Sequence, residues 1–524
     1  MFARSRRAWD VAAEVLAHKV FRKLDRRALV LLATALLAEA GYVFLLSAGH
    51  FTHWPFGENR IDQLAESFRA GQIHLLVEPS AALVQAANPY DSANSDLWYW
   101  DASLYGGHYY LYWGPVPALL LALVKIVFQV SRPVSDSCPY LGLVALQLVA
   151  GTLLIDRLAR RLFPDAPLWQ IVGAVLVFAF ANPTPYTGSR PAIYEAAVVG
   201  GQAFLLFGLL FSFDAVCAET RLKANLSAFA SGTAFALALG CRISLGCAAV
   251  AIATATAVFA ARTGTAPRAR RFVEVLAAIG LPLSLGIAAL LAYNRLRFDH
   301  WLEFGQRYQL SWVAWTWSPA FVPANLYSYA LRGAHLACRF PFVTAVTDMA
   351  AAAFPRGFHL APGYFIYEPT IGLLSSVPWV WLSPAAFIWR RRPGGAATAD
   401  PQAVALQAVA PQAVALRAIV VNLVLAAALS LAPLLCAPSA TMRYLGDFAP
   451  PLVLLGTIGA WNLRRLTATH PIANRVVLAV SLSLATLTIT IGFALGFTGY
   501  YNNFQSNNPG LQSKLERIGS VCRR

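Results

Sequence analysis

The sequence predicts an all-α fold, a polytopic membrane helical bundle of about eleven transmembrane helices. Three observations predict it. Of 524 residues, 58% are hydrophobic and only 13% are charged, with a mean hydropathy of +0.54; soluble domains carry about 25% charged residues. Apolar stretches of about 20 residues recur along the chain, and a helix of that length crosses a bilayer with every backbone polar group satisfied internally. Lys and Arg gather at alternate ends of those stretches, so the formal net charge of +16 reads as positive-inside topology rather than as a nucleic-acid partner. No succession of alternating ten-residue strands is present, which argues against a β-barrel.

Taken in order, residues 1–27 form a basic cytoplasmic N-terminus, too long and polar for the n-region of a signal peptide. The apolar run after it continues to about Ser47 and suits an uncleaved first span. Spans are expected at about 28–48, 140–157, 167–187, 195–213, 225–241, 243–261, 272–293, 369–389, 417–436, 447–463 and 475–497. With the N-terminus inside, the cytoplasmic segments hold Arg4 to Arg27, then Arg157, Arg160 and Arg161, then Arg221 and Lys223. Arg262 to Arg271, Arg390 to Arg392, and Arg464 with Arg465 complete the set. One orientation explains them all.

The apolar segment 114–130 is short, interrupted by proline and contains Lys125. Counted as a span it would invert every later loop, so it reads as a re-entrant or interfacial helix on the outer face. The transmembrane domain then covers 28–497. Its two large extracytoplasmic loops are 49–139 and 294–368, and 498–524 is an extracytoplasmic tail. Loops this long are usually functional or disordered; their aromatics and mixed charge favour order near the membrane surface. Residues 393–416 hold a near tandem repeat, PQAVALQAVA then PQAVALRA, and read as a low-complexity cytoplasmic linker. The seven cysteines form no CxxC pair. Cys338, Cys436 and Cys522 fall outside the cytoplasm, where one disulfide is permitted but not indicated.

Polar groups near spans are costly at membrane depth and so mark candidate sites. In GENRIDQLAESFRAGQIHL, Ile61, Leu64, Ala65, Phe68 and Ile73 share one helical face, with Asp62, Glu66 and Arg69 on or near the other. This is either a surface-lying amphipathic helix with solvated charges or a helix that presents Asp62 to a cavity as a general base. The following NPYDSANSDLWYWDASLYGGHYYLYWG brings Asp101, Tyr105, His108, Tyr109, Tyr110 and Tyr112 together. Rings with a few polar groups fit either a carbohydrate-binding wall or an interfacial belt; Gly106 and Gly107 supply a tight turn.

Later spans offer Arg190 and Glu195, Arg242, then Arg297, Asp299, Glu303 and Arg307, and finally Arg443, Tyr444 and Asp447. Converging arginines suit a phosphate, because the guanidinium fork holds its oxygens bidentately. Arg242 and Arg443 are the best candidates, having few charged neighbours in sequence, though Asp447 stands at i, i+4 from Arg443. No P-loop, GxGxxG or HExxH occurs, so ATPases, dehydrogenases and zincin proteases lack their local signatures.

The blocks WDASLYGGHYYLYWGPVPALLL, YNRLRFDHWLEFGQRYQL and MRYLGDFAPPLVLL resemble the C-type (GT-C) glycosyltransferase superfamily. More narrowly they resemble bacterial membrane proteins related to protein O-mannosyltransferases and to the sugar transferases that modify lipid A. The resemblance runs from about Glu58 to Pro451. It implies a GT-C-like bundle in the inner membrane, membrane-lying helices in the first outer loop and a polyprenyl-phosphate-linked sugar as donor. The acceptor would be an extracytoplasmic glycan, lipid or protein. Such proteins carry a catalytic acid early in the first outer loop, often an adjacent Asp-Glu pair; this chain has Glu58 and Asp62 instead. Asp62 is then the expected base, with Asp101 and Glu58 behind it. The expected substrate-binding residues are Arg242, Arg443, Arg190, Arg297, Glu303, Arg307, Tyr105, His108, Tyr109, Tyr110, Tyr112 and Asp447. No cofactor is specified, and a divalent metal stays open. A transporter or lipid flippase, and an inactive scaffold of the same fold, are the competing readings. Charges at span ends and in long loops, rather than at mid-helix breaks, favour the enzyme.

Overall fold

The structure is a computed structural model that describes residues 25–263, 267–312, 316–345, 354–368, 370–388 and 401–519, with the backbone alone for 401–410 and Tyr501. The basic stretch before Asp25, Arg390 to Arg392 and Cys522 lie outside these residues. Among the described residues, eight helices are long and apolar enough to cross a membrane. The first is α1 (Arg26–Leu46), whose free N–H groups are capped by Asp25, its carboxylate 2.7 Å from the amide of Ala28. In the first long loop lie α2 (Arg60–Arg69), a hairpin of β1 (Ser103–Tyr105) and β2 (His108–Tyr110), and α3 (Val116–Val127). Then follow α4 (Ser137–Leu162), α5 (Leu168–Phe180), α6 (Ile193–Cys217), α7 (Arg221–Cys241), α8 (Gly246–Ala260) and α9 (Arg268–Phe298). The last part of the bundle is α10 (Pro401–Leu435), α11 (Ala449–Leu466) and α12 (Pro471–Thr498).

Ion pairs gather the basic turns at one end of the bundle. Arg27 at the start of α1 meets Asp156 in the last turns of α4 at 2.6 Å. Arg157 meets Asp214 near the end of α6 at 3.3 Å, and Arg221 meets Glu274 near the start of α9 at 2.5 Å. The start of α1 therefore lies beside the end of α4. Residues 47–136 leave and return at the opposite end, called here the loop end. At about 1.5 Å per residue, the 12 residues of α3 extend roughly 18 Å, well short of a 30 Å hydrocarbon core.

Three stretches depart from the expected helices. Instead of one helix at 369–389, the chain forms a short helix, Leu373–Ser376, and a 3-10 helix, Pro378–Phe387. Pro378 and Pro384 lack the N–H that an α-helix needs. The polar groups of this buried segment are met by its neighbours: Trp379 N donates to Thr488 Oγ1 (2.9 Å), Asn462 Nδ2 to Ala385 O (3.2 Å) and Ser383 Oγ to Leu452 O (3.1 Å). Non-helical backbone at depth is tolerated when protein satisfies it in this way. The span expected at 167–187 ends at Phe180, before Pro183 and a short turn at Thr184–Thr187. Of the stretch expected as a low-complexity linker, 393–416, residues 393–400 lie outside the described residues and 401–416 begin the 35-residue α10, as their Ala, Gln and Leu content allows.

The tail folds back on the bundle. Phe504 and Leu511 pack beside Leu45, Ala48 and Phe497, and Asn508 Nδ2 donates to Ala48 O at 2.8 Å. Cys338 is disulfide-bonded, whereas Cys436 is free.

The 3-10 helix lies so close to α11 that a Cβ on Gly459 would collide with the carbonyl oxygen of Leu382. Gly459→Ala should therefore lower the detergent melting temperature, at a cost of about 1–3 kcal/mol or more. Gly280→Ala, where nothing stands within 4 Å of a new Cβ, should leave it unchanged. Equal behaviour of the two variants would refute the close approach.

Candidate active site

The two long loops are joined backbone to backbone. Asp101 N donates to Leu310 O (3.1 Å), Leu310 N returns to Ala102 O (2.9 Å), and Ser103 bridges to Gln309. Ser103 Oγ adds a bond to Gly305 O at 2.8 Å. This junction places Gln309 Nε2 3.1 Å from Asp101 Oδ1 and 3.3 Å from the Tyr112 hydroxyl. Tyr112 in turn bonds Tyr194 at 2.8 Å between hydroxyls, with Trp113 stacked on Tyr112 and edge-on to Tyr194. Gly114 lets the chain touch Gly240 at the end of α7, where any Cβ would strike its carbonyl oxygen. Asp101 itself has φ +64°, a left-handed conformation that is uncommon outside glycine and recurs at functional positions.

Beyond Tyr194 lies a buried charge array built on the turn Met442–Asp447. Arg443 is 3.4 Å from Glu368 and 4.0 Å from Glu195, and lies over the Tyr194 ring at 4.8 Å. Glu368 also accepts from Met442 N at 2.6 Å. Burial pushes the Glu368 carboxyl above the ordinary range, against the opposing pull of Arg443. Asp447 pairs with Arg242 at 2.7 Å, and its carbonyl accepts from Gln202 at 2.7 Å. Glu195 is 0% exposed, and neither of its oxygens has a hydrogen-bond partner among the described residues. It lines a cavity of about 10 Å³ with Gln147, Thr187, Gln202 and Arg443, room for about one water molecule. Arg190 is partly exposed, makes no ion pair within 4.0 Å among the described residues, and feels the charges of Glu195, Arg443 and Glu58.

Several residues singled out from the sequence lie elsewhere. Asp62 is not on a solvated or cavity-facing side of α2. It is 3% exposed and holds Lys125 of α3 at 2.6 Å, while Glu66 holds the same ammonium at 2.5 Å. That ion pair answers for the lysine inside an apolar helix. Arg297 is buried, donating to Leu111 O (2.5 Å) and Asn294 (2.7 Å), with its plane over Tyr293. It therefore pins α9 to the first loop rather than facing a ligand. Glu303 accepts from Gly305 N, and Arg307 is exposed. Tyr105 and Tyr110 pack on Phe298, and Tyr109 on Tyr99. His108 stacks on His74. Glu58 is exposed, and its carbonyl accepts from Asp136 N. The helix-end pairing of Arg443 with Asp447 is replaced by Arg443–Glu368 and Arg242–Asp447, so both arginines are internally paired.

From the expected residues the structure brings together Asp101, Tyr112, Arg242, Arg443 and Asp447, with Arg190 at the edge. To these it adds Tyr194, Gln202, Gln309 and Glu368. Glu368 had a faint signal, as a lone acid just before an apolar run. Gln309 had none.

No protein-family description and no curated protein matches the chain. Three solved structures are similar, all of the oligosaccharyltransferase of Archaeoglobus fulgidus. The apo form has a TM-score of 0.46 at 11% identity, over 89% of this chain and 56% of that one. The form tethered to an acceptor peptide containing the NVT sequon gives 0.40 at 10%, over 89% and 54%. AglB in complex with an inhibitory peptide and a dolichol-phosphate gives 0.42 at 11%, over 91% and 56%. The chain thus spans about half the length of these structures, and so distant a likeness assigns no residue a role.

The Lys125 ion pair is a packing device with a measurable cost. Lys125→Ala strands Asp62 as a buried unpaired carboxylate and should destabilise the fold by about 3–5 kcal/mol. The double variant Lys125→Met, Asp62→Leu should melt well above the single one. A single variant with wild-type melting temperature would show that the pair carries no such load.

Proposed function

We propose that the chain is an integral-membrane glycosyltransferase that moves a sugar from a polyprenyl-phosphate-linked donor to an extracytoplasmic hydroxyl acceptor. The supporting observation is the continuous array Asp101–Gln309–Tyr112–Tyr194–Arg443, which joins a carboxylate to buried cations through hydroxyl and aromatic groups at the loop end. In this reading the basic end faces the cytoplasm of a bacterial inner membrane, and the loop end faces outward. A disulfide-bonded Cys338 in the second loop suits an oxidising compartment.

Each part of the array has a task. The acceptor oxygen attacks the sugar C1 while the C1–O bond to the lipid phosphate breaks, and the phosphate leaves with the bonding electron pair. Asp101 takes the acceptor proton, and Gln309 holds its carboxylate in place. Arg190, without a committed ion-pair partner, meets the phosphate as charge grows on it, and the buried Arg443 adds its field. Tyr112, Trp113 and Tyr194 offer rings and hydroxyls to the sugar. Attack opposite the leaving phosphate inverts the anomeric carbon. Asp62, tied to Lys125, takes no part in this scheme.

Asp101→Asn should cut transfer by about 10²–10⁴-fold with an unchanged melting temperature, while Asp62→Asn keeps measurable turnover. Arg190→Ala should raise the donor KM more than Arg190→Lys. The assay follows label from radioactive polyprenyl-phosphate hexoses into acceptor, with purified protein in proteoliposomes. Wild-type turnover by Asp101→Asn would remove the base. Movement of the labelled lipid between leaflets without sugar transfer would make the chain a transporter.

A further inference from the structure

The first long loop contains a second chemical constellation that the transfer scheme does not use. The β1–β2 hairpin turns through Gly106 and Gly107, at φ +56° and +80°. This turn returns His108 beside the irregular segment that follows α2. A backbone bond from Leu75 N to Tyr109 O at 2.8 Å fixes that segment against the hairpin. The two imidazoles are stacked as a result, their centroids 4.2 Å apart and their planes 21° from parallel. Glu78 reaches the same place, with Oε2 3.5 Å from His108 Nδ1.

The hydrogen bonds of the two rings limit what each can do. His74 Nδ1 lies 3.0 Å from Leu75 O. A carbonyl only accepts, so Nδ1 must carry the proton, and in the neutral ring the Nε2 of His74 keeps its lone pair. Fixing one ring nitrogen by a backbone carbonyl is the usual way a ligating histidine is oriented. His108 Nδ1 is buried without a hydrogen bond, and Glu78 Oε2 at 3.5 Å meets it only as a long ion-pair contact. One ligand atom from each of His74, Glu78 and His108 lies within 4.8 Å of the others, and among the described residues no other group of three does so.

We propose that His74, Glu78 and His108 bind a divalent transition ion of the zinc type, which clips the hairpin to the 74–78 segment. Two imidazoles and one carboxylate favour such an ion over calcium or magnesium, which take oxygen ligands. Ligand atoms about 2 Å from a tetrahedral ion stand roughly 3.3 Å apart, so the trio must close by up to about 1.5 Å, and the near-parallel rings must turn so that their in-plane lone pairs converge. The Glu78 carboxylate and the His108 ring, 62% and 41% exposed, have the room for that rearrangement. Water completes the fourth position. The ion stiffens the hairpin whose outgoing strand leads to Tyr112. None of the three ligands belongs to the Asp101–Arg443 array, so this site stands or falls independently of glycosyl transfer.

The test is zinc binding by the full-length protein in detergent, stripped with EDTA, reloaded with zinc chloride, desalted and assayed by elemental mass spectrometry. One zinc per chain is expected for wild type. His108→Ala and Glu78→Gln should each weaken binding at least about tenfold, and the double variant His74→Ala, His108→Ala should retain none. Glu78→Gln alters an exposed side chain and guards against a folding artefact. Zinc should also slow amide hydrogen exchange across residues 74–78 and 103–110 in wild type but not in the double variant. Wild type that retains no zinc would reduce the trio to a histidine–glutamate ion pair and overturn the proposal. Undiminished zinc in the double variant would overturn it equally.

Discussion

The loop end depends on the need to bury charge in balanced sets. Moving an isolated guanidinium or carboxylate out of water costs several kcal/mol even after relaxation, yet Arg443, Glu195, Glu368 and Asp447 are all nearly inaccessible. They persist because signs alternate through space. Arg443 stands between Glu368 and Glu195, while Asp447 takes Arg242 with two guanidinium nitrogens. That arrangement fixes the turn Met442–Asp447 to α6, to the end of α7 and to the second long loop at once. Four segments remote in sequence thereby share one electrostatic solution, and a fault in any of them would expose the others.

The same constraint explains what the sequence made legible. Apolar length and the placement of Lys and Arg are local properties, and they located the eight helices long and apolar enough to cross a membrane to within about six residues. Ion pairs are not local. Lys125 finds Asp62 across 63 positions and Arg242 finds Asp447 across 205. An arginine with few charged sequence neighbours therefore looked free for phosphate when it was already paired. The 369–389 stretch misled for a related reason. Its hydropathy is that of a span, but Pro378 and Pro384 remove donors, and the groups that rescue its backbone come from Thr488 and Asn462. No window of sequence around residue 380 contains those partners.

Aromatic residues illustrate how one signal divides in three dimensions. The run from Trp98 to Trp113 read as either a sugar wall or an interfacial belt, and much of it serves packing. Tyr109, Tyr110 and Trp98 are buried, and Phe298 with Tyr105 and Tyr308 forms a cluster that seats the hairpin on the end of α9. Only Tyr112 and Trp113 turn toward Tyr194 and the charge array. The hairpin, Arg297 and the Ser103–Gln309 bridge form a scaffold, so the array rests on backbone contacts rather than on mobile loop.

This scaffold distinguishes two carboxylates that the sequence ranked with Asp62 as the expected base and Asp101 behind it. A general base needs a lone pair within reach of a proton, and the nearest oxygen of Asp62 is already occupied by an ammonium 2.6 Å away, inside a helix–helix contact. Asp101 accepts from the neutral amide of Gln309, is only partly buried, and stands where two loops converge with an uncommon backbone conformation. Such a conformation costs free energy, and the junction with Leu310 and Gln309 is what offsets it. The acid placed early after the first span therefore stabilises the loop, and Asp101, which has no ion pair among the described residues, is the base in the scheme proposed above.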